Sequence, residues 1–548
     1  MSALDRFFDS YYRLRPVNAT FTGVHDHDDR LPDWSPAGLE AAVDEMRSLR
    51  ASLAGAPADL RRVEDRDREL AMAFLEVQIA EHESVHFQRG NPSLALGEAV
   101  FGVVSLMTRP FAAAAVRART AAARLQRIPA FLDGARRSMT DGICDAWRVK
   151  TLRECDGADR LLAVGLDRWI AAESIPAPLA ESLTDSARQA ASAVADFRAW
   201  LQRADPSPAG RSAAGASFFE LLLTRGHWID RSRTDLLAEA GAALDEALAR
   251  LEQDAKAVAP GGWSEVQQRL GDTHPAVTDY LPSYQRMWEA CRRRADERDL
   301  VTWPDYPIRY VPIPPQTRDA APFLYYLFYR SPAPFDRLPV HDYVVTPIDD
   351  SLGVAEQQRR LRATNTSVMK LNHVVHHGAI GHHVQNHFAY HGPSEIGRVA
   401  AVDCASRIGM FLGGTMAEGW ACYATDLMEE CGFLTAEESV AQQHARARLL
   451  ARAVADVALH QRTMTFDDAV ALYRDRIGMP DEVARNEACK NSMFPGTAVM
   501  YWLGTGAIHR LRRDRERVEG SQFSLRRFHD RLLSFGSIPV PLVARIYA

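Results

Sequence analysis

Seven of the chain's eighteen histidines lie between His373 and His391, in the stretch LNHVVHHGAIGHHVQNHFAYH. Imidazole is a mediocre helix former and a poor core filler, so ordinary packing rarely concentrates it in this way. It is also a common metal ligand and a base matched to neutral pH. On a regular helix, positions seven apart lie within about 20° of each other and positions four apart differ by about 40°. His376, His383 and His387 then form one stripe, His373 and His377 form a second beside it, and His382 points elsewhere. Gly378 and Gly381 interrupt the pattern and permit a local turn. A zinc-binding helix most often reads H-E-x-x-H. Here Ile380 stands four residues after His376, so the next histidine ligand is His382 or His383, and regular helical angles favour His383.

The segment His376-His377-Gly378-Ala379-Ile380-Gly381-His382-His383 resembles the signature of the Domain of Unknown Function 885 family, H-E-x-x-P-G-H-H. Glu418-Gly419-Trp420-Ala421-Cys422-Tyr423 is similar to that family's E-G-W-A-x-Y. Phe494-Pro495-Gly496-Thr497-Ala498-Val499-Met500-Tyr501 is similar to its P-G-x-A-x-x-Y. The ending FHDRLLSFGSIPVPLV has the same look, and the opening YRLRPVNATFTGVHDHD has it more loosely. The similarity is specific over residues 350–548 and extends along the chain. It implies a helical, zinc metallopeptidase-like fold with a metal held by His376, by His382 or His383, and by Glu418. The chain departs from the pattern in two places: His377 stands where the family has its water-activating glutamate, and Ile380 replaces its proline.

Around that resemblance the residue chemistry is consistent. Two imidazoles and a carboxylate leave open positions on a metal, as catalytic zinc requires, and the same set describes the facial triad of non-haem iron. Glu418 has Trp420, Ala421 and Tyr423 as neighbours, where a carboxylate needs a counter-charge, although an acidic residue early in a helix also complements its dipole. His377 fits a general base, a further ligand, or a donor behind the ligands. Tyr501 fits a donor to an oxyanion, or an interior tyrosine. Asp456 and His460, four apart, fit a pair orienting a ligand histidine, or a plain helical pair. His25-Asp26-His27-Asp28-Asp29 is rich in ligand types, but its alternation in a loop-like setting points to structure.

These readings converge on a metal-dependent enzyme that hydrolyses a peptide or other amide-bearing small molecule. One divalent metal is expected, zinc first, with iron or manganese as alternatives. With His377 in the glutamate's place, the rival readings are a lyase, isomerase or oxygen-dependent reaction at the same site, or a silent metal-binding protein.

The elements that must position these residues are helices. Up to residue 298 apolar residues recur at three- and four-residue intervals, as in LTDSARQAASAVADFRAWLQRA and TDLLAEAGAALDEALARLEQDAKAV. Residues 299–350 change texture: VTWPDYPIRYVPIPPQ and RLPVHDYVVTPID read as edge strands or extended segments lining the cleft. Helical pattern returns over 351–548. The fold expected is mainly α, with a helical scaffold half (1–298), an extended segment (299–350) and a helical metal-site half (351–548), the substrate lying in a cleft between the halves. The aromatic run Phe323–Tyr329 reads as a buried wall or cleft floor.

Composition sets the outer limits. The chain has 548 residues, 47% hydrophobic and 25% charged, the balance of a folded protein. A net charge of −6 gives no basic footprint for nucleic acid or an anionic membrane. The opening MSALDRFFDSYYRLRP is charged every few residues, no apolar run approaches the roughly 20 residues of a membrane span, and the seven cysteines are scattered. On these grounds a cytoplasmic protein with reduced thiols is expected.

Overall fold

The computed structural model describes residues 2–55, 58–208, 211–304, 306–324, 333–336, 341–402 and 406–547. The fold is mainly α, as the periodicity requires, and the described residues contain two short strands. They fall into two compact units. The first comprises residues 1–218, 313–338 and 405–407, and the second residues 219–312, 339–404 and 408–548. The units cross the boundaries of sequence texture: residues 219–298 belong with the histidine segment, and the 299–350 stretch contributes to both.

In the first unit, helices α1 (Pro92–Thr108), α2 (Ala114–Ser138), α3 (Asp145–Arg160) and α4 (Ala177–Arg203) pack on one another. Arg124 of α2 lies fully buried and donates to the carbonyls of Arg30 and Gly102 and to the Thr20 hydroxyl, so this buried cation is held by oxygen acceptors. In the aromatic run, Leu324 is buried and Phe323 lies beneath the Arg160 guanidinium; Tyr325–Tyr329 lie outside the described residues. His25 of the acidic loop bridges Asp28 and Asp336 at 2.8 Å each and stacks on Phe111, a structural pin.

The second unit carries the histidines. Helix α5 (Arg233–Val258), capped by the Ser232 hydroxyl, runs along α9 (Ala436–His460), whose capping box is Thr435 and Glu438. Ala447, Ala451 and Ala455 of α9 are fully buried against Leu244, and these small side chains let the two axes come close. Helix α6 (Tyr280–Glu297) precedes strands β1 (Ile308–Pro312) and β2 (His341–Val345), which pair in parallel with Tyr310 opposite Tyr343. Helices α7 (His382–His391), α8 (Gly414–Glu430) and α10 (Val499–Glu519) complete the surroundings of the site.

Candidate metal centre

The histidine segment is not one regular helix. Met369–Gly378 winds in wide π-helical turns, Ala379 leaves the helix at φ −124° and ψ −116°, and α7 begins at His382 after Gly381 at φ −73° and ψ −119°. Glycine is required on both sides of this break. A Cβ on Gly381 would overlap the His376 carbonyl oxygen, and one on Gly378 would overlap the Tyr310 hydroxyl. Indoles from neighbouring helices satisfy the freed carbonyls. Trp288 of α6 donates to the Gly378 carbonyl at 2.7 Å, and Trp420 of α8 donates to those of Ile380 at 2.9 Å and Gly381 at 3.2 Å. Tyr310 and Tyr343, paired across the strands, reach the carbonyl and the Nδ1 of His373 at 3.2 and 2.9 Å.

The break decides which histidines meet. His376 Nε2 lies 3.3 Å from Glu418 Oε2, and His382 Nε2 lies 3.5 Å from the same oxygen. His377 joins them, so that one nitrogen from each of the three rings lies within 4.8 Å of the others. The preference for His383 is corrected: its ring packs edge-on against Tyr306, with centroids 4.9 Å apart, and beside His341. That preference assumed an unbroken helix. The turn at Ala379–Gly381 resets the helical phase, bringing His382 onto Glu418 and sending His383 away.

Glu418 receives its other partner through a helix crossing. Gly419 of α8 and Gly504 of α10 meet backbone to backbone: a Cβ on Gly419 would stand 2.6 Å from the Gly504 carbonyl carbon, and one on Gly504 would overlap the Thr415 carbonyl. At this close approach the Tyr501 hydroxyl donates to Glu418 Oε1 at 2.9 Å. In this arrangement the Tyr501 proton points to the carboxylate, the ordinary hydrogen bond of an interior tyrosine. Glu418 Oε2 is buried and accepts no hydrogen bond from the described residues.

Asp456 and His460 take partners other than the candidate ligand histidines among the described residues. Asp456 accepts from the backbone N–H groups of Gly496, Ala498 and Val499 at 2.9, 3.0 and 3.0 Å, fixing the Pro-Gly turn and the start of α10. His460 Nε2 binds the Asn491 carbonyl at 3.0 Å. Asp456 therefore sets the point from which Tyr501 emerges.

The chain matches a protein family described as "Bacterial protein of unknown function (DUF885)" over residues 16–546. It belongs to that family. No curated protein is similar to it. Solved structures share the fold, among them two that are described as putative lipoproteins. One, "a putative lipoprotein of unknown function from Shewanella oneidensis", is 19% identical with a TM-score of 0.78, over 99% of this chain and 98% of that one. The other, described as the "putative lipoprotein from Colwellia psychrerythraea", is 16% identical with a TM-score of 0.77, over 100% and 98%. The cytoplasmic expectation is corrected by these descriptions, since relatives matched over nearly their whole length are called lipoproteins. Scattered thiols carried little weight for compartment: four of the six described cysteines are buried, as small apolar side chains often are.

The electrostatics of this DUF885 site follow from burial. Burial pushes the Glu418 carboxyl upward, but the nearness of His376 and His382 outweighs it and holds the group well below the ordinary range. Burial also depresses His376, and it holds His377 well below 6.5, where His376 and His382 add repulsion. Both shifts favour the neutral ring, the state that a ligand or a base requires. His377 Nδ1 lies 2.7 Å from the Asn372 carbonyl, which can only accept. The ring proton is thereby fixed on Nδ1, and Nε2 keeps its lone pair.

The donor set fits a divalent cation. Ligands about 2.0–2.2 Å from a tetrahedral metal stand about 3.3–3.6 Å apart, and the two imidazole nitrogens stand 3.3 and 3.5 Å from Glu418 Oε2. That oxygen, buried and without a hydrogen bond, is the acceptor a cation would complete.

Proposed function

We propose that this protein is a metal-dependent hydrolase of amide bonds in short peptides or related small molecules, with His376, His382 and Glu418 holding one divalent cation, zinc first. The observation that carries this reading is Glu418 Oε2, buried, unbonded, and facing two imidazole nitrogens at ligand spacing. Gathering these groups in a dry pocket is costly without a counter-charge. When bound, the cation supplies Lewis acidity that polarises a carbonyl and makes water more acidic.

The chain's own residues do the rest. Tyr501 holds Glu418 Oε1, so that Oε2 alone faces the two rings. Asn372 fixes the His377 tautomer, and Nε2 takes a proton from the attacking water. The water oxygen bonds to the acyl carbon, the C–N bond breaks, and the proton held on Nε2 passes to the leaving nitrogen. His377 ends neutral, and the products are an acid and an amine.

The test has two parts. Elemental analysis of the purified chain is expected to find about one divalent metal, lost in His376→Ala and Glu418→Ala. Incubation with a defined peptide mixture, under air and under nitrogen, is expected to give cleavage in both. Full metal occupancy in the variants, or turnover that requires oxygen, rejects the reading.

A further inference from the structure

The arginines of α9 are unequally paired. Arg446 binds Asp426 and Glu429, and Arg452 binds both oxygens of Glu487 through two nitrogens, at 2.6 and 2.5 Å. Arg448, between them, forms no hydrogen bond or ion pair with any described residue, and its Nε is buried without an acceptor. The side chain is half-buried, so solvent reaches part of it. Burying a guanidinium without an acceptor is costly, and such a fork is the preferred partner of a carboxylate, which it binds through two parallel hydrogen bonds. Glu487, whose charge reaches Arg448, is already engaged by Arg452.

Its position ties this cation to the site. Arg448, Arg452 and Asp456 stand four residues apart along one face of α9, and Asp456 holds the turn from which α10 and Tyr501 emerge; the charge of Arg448 also reaches His376 and Tyr501. The guanidinium therefore stands on the face of α9 that turns toward α10, which carries Tyr501.

We propose that Arg448 anchors a carboxylate of the substrate, so that the site takes peptides with a free carboxyl terminus and cuts near that end. An extended peptide advances about 3.5 Å per residue, so an anchor beside the reacting groups selects a bond close to the terminus. The cut position rests on the hydrolase reading above, whereas carboxylate binding by Arg448 does not.

The test uses the metal-loaded full chain and reduced-amide dipeptides, which cannot be hydrolysed, with either a free carboxylate or a carboxamide end. Retention is measured by ultrafiltration and mass spectrometry. The free acids are expected to bind about 10- to 100-fold more tightly, the span of paired charge-assisted hydrogen bonds. Arg448→Met is expected to lose that preference with metal content and melting temperature unchanged, and Arg448→Lys to keep part of it. Equal retention of acids and carboxamides, retention of neither at millimolar concentration, or an intact preference in Arg448→Met overturns the proposal. If Arg448→Met does not fold, the wild-type comparison and Arg448→Lys still decide. Parallel incubation with ordinary dipeptides separates the two readings. Acids retained through Arg448 but never cleaved overturn the hydrolase alone, and cleavage without any preference for free acids overturns the anchor alone.

Discussion

At the scale of residues, Glu418 gives one oxygen to the Tyr501 hydroxyl and turns the other toward His376 and His382. Tyr501→Phe removes only the hydrogen bond to Oε1, and the expected result is metal affinity weaker by about 10- to 100-fold with an unchanged fold, measured by competition with a chelator. His382→Ala is expected to abolish metal binding and His383→Ala to leave it, because His382 alone of the two reaches Glu418. The opposite order in a metal titration would return the second ligand to His383. His377→Ala is expected to keep the metal and lower turnover by about 10² to 10⁴, the usual contribution of a general base; an unchanged rate on a cleaved peptide would leave His377 without a chemical role. His376, Glu418 and Tyr501 were legible in the sequence because each stands in a short motif. The choice of His382 was not, since it depends on the φ and ψ of Ala379 and Gly381. Trp288, Trp420 and Tyr343 were also invisible as supports, because they act from distant segments on backbone groups and a ring nitrogen.

At the scale of elements, the site depends on a turn and a crossing built on glycine. Gly504→Ala places a methyl against the Thr415 carbonyl and must part α8 from α10. It is expected to cost about 1–3 kcal/mol, as overpacking does, and to weaken metal binding through loss of the Tyr501 bond. Gly353, with open space around it, is the control: Gly353→Ala is expected to stay within about 0.5 kcal/mol of the parent by denaturant unfolding. Equal effects at the two positions would remove the crossing from the account. The helices themselves were readable, and the run beginning TDLLAEAG forms α5 almost as periodicity placed it. What periodicity could not show was the wide-turn segment Met369–Gly378, because a hydrophobic repeat reports the average winding and not a local change in it.

At the scale of the whole molecule, texture and contact part ways. Proline and aromatic content marks residues 299–350 as distinct, yet the units divide near Phe218 and share that stretch, since compactness depends on which helices pack and not on where composition changes. Both units bury histidines away from the candidate metal site, and burial favours their neutral form, so a common response to acid is expected. Burial pushes His82 of the first unit down to about 4, and His227, His460 and His529 of the second down to about 4, 4 and 3. An unfolded histidine titrates near 6.5, so between that value and about 4 the unfolded chain holds more protons than the folded one. The stability these rings contribute is therefore complete above pH 6.5 and is lost as pH falls through their folded values. Four such groups imply an uptake approaching four protons on unfolding near pH 5, a slope of about 5 kcal/mol per pH unit at most. Chelator-treated protein isolates this effect from release of a cation. Unfolding free energy measured against pH is expected to drop steeply below 6.5, and His82→Asn to reduce the slope by about one proton, whatever it does to stability at pH 8. A flat profile down to pH 5, or an unchanged slope in the variant, would show that these rings accept protons in the folded state and that their burial does not govern acid unfolding.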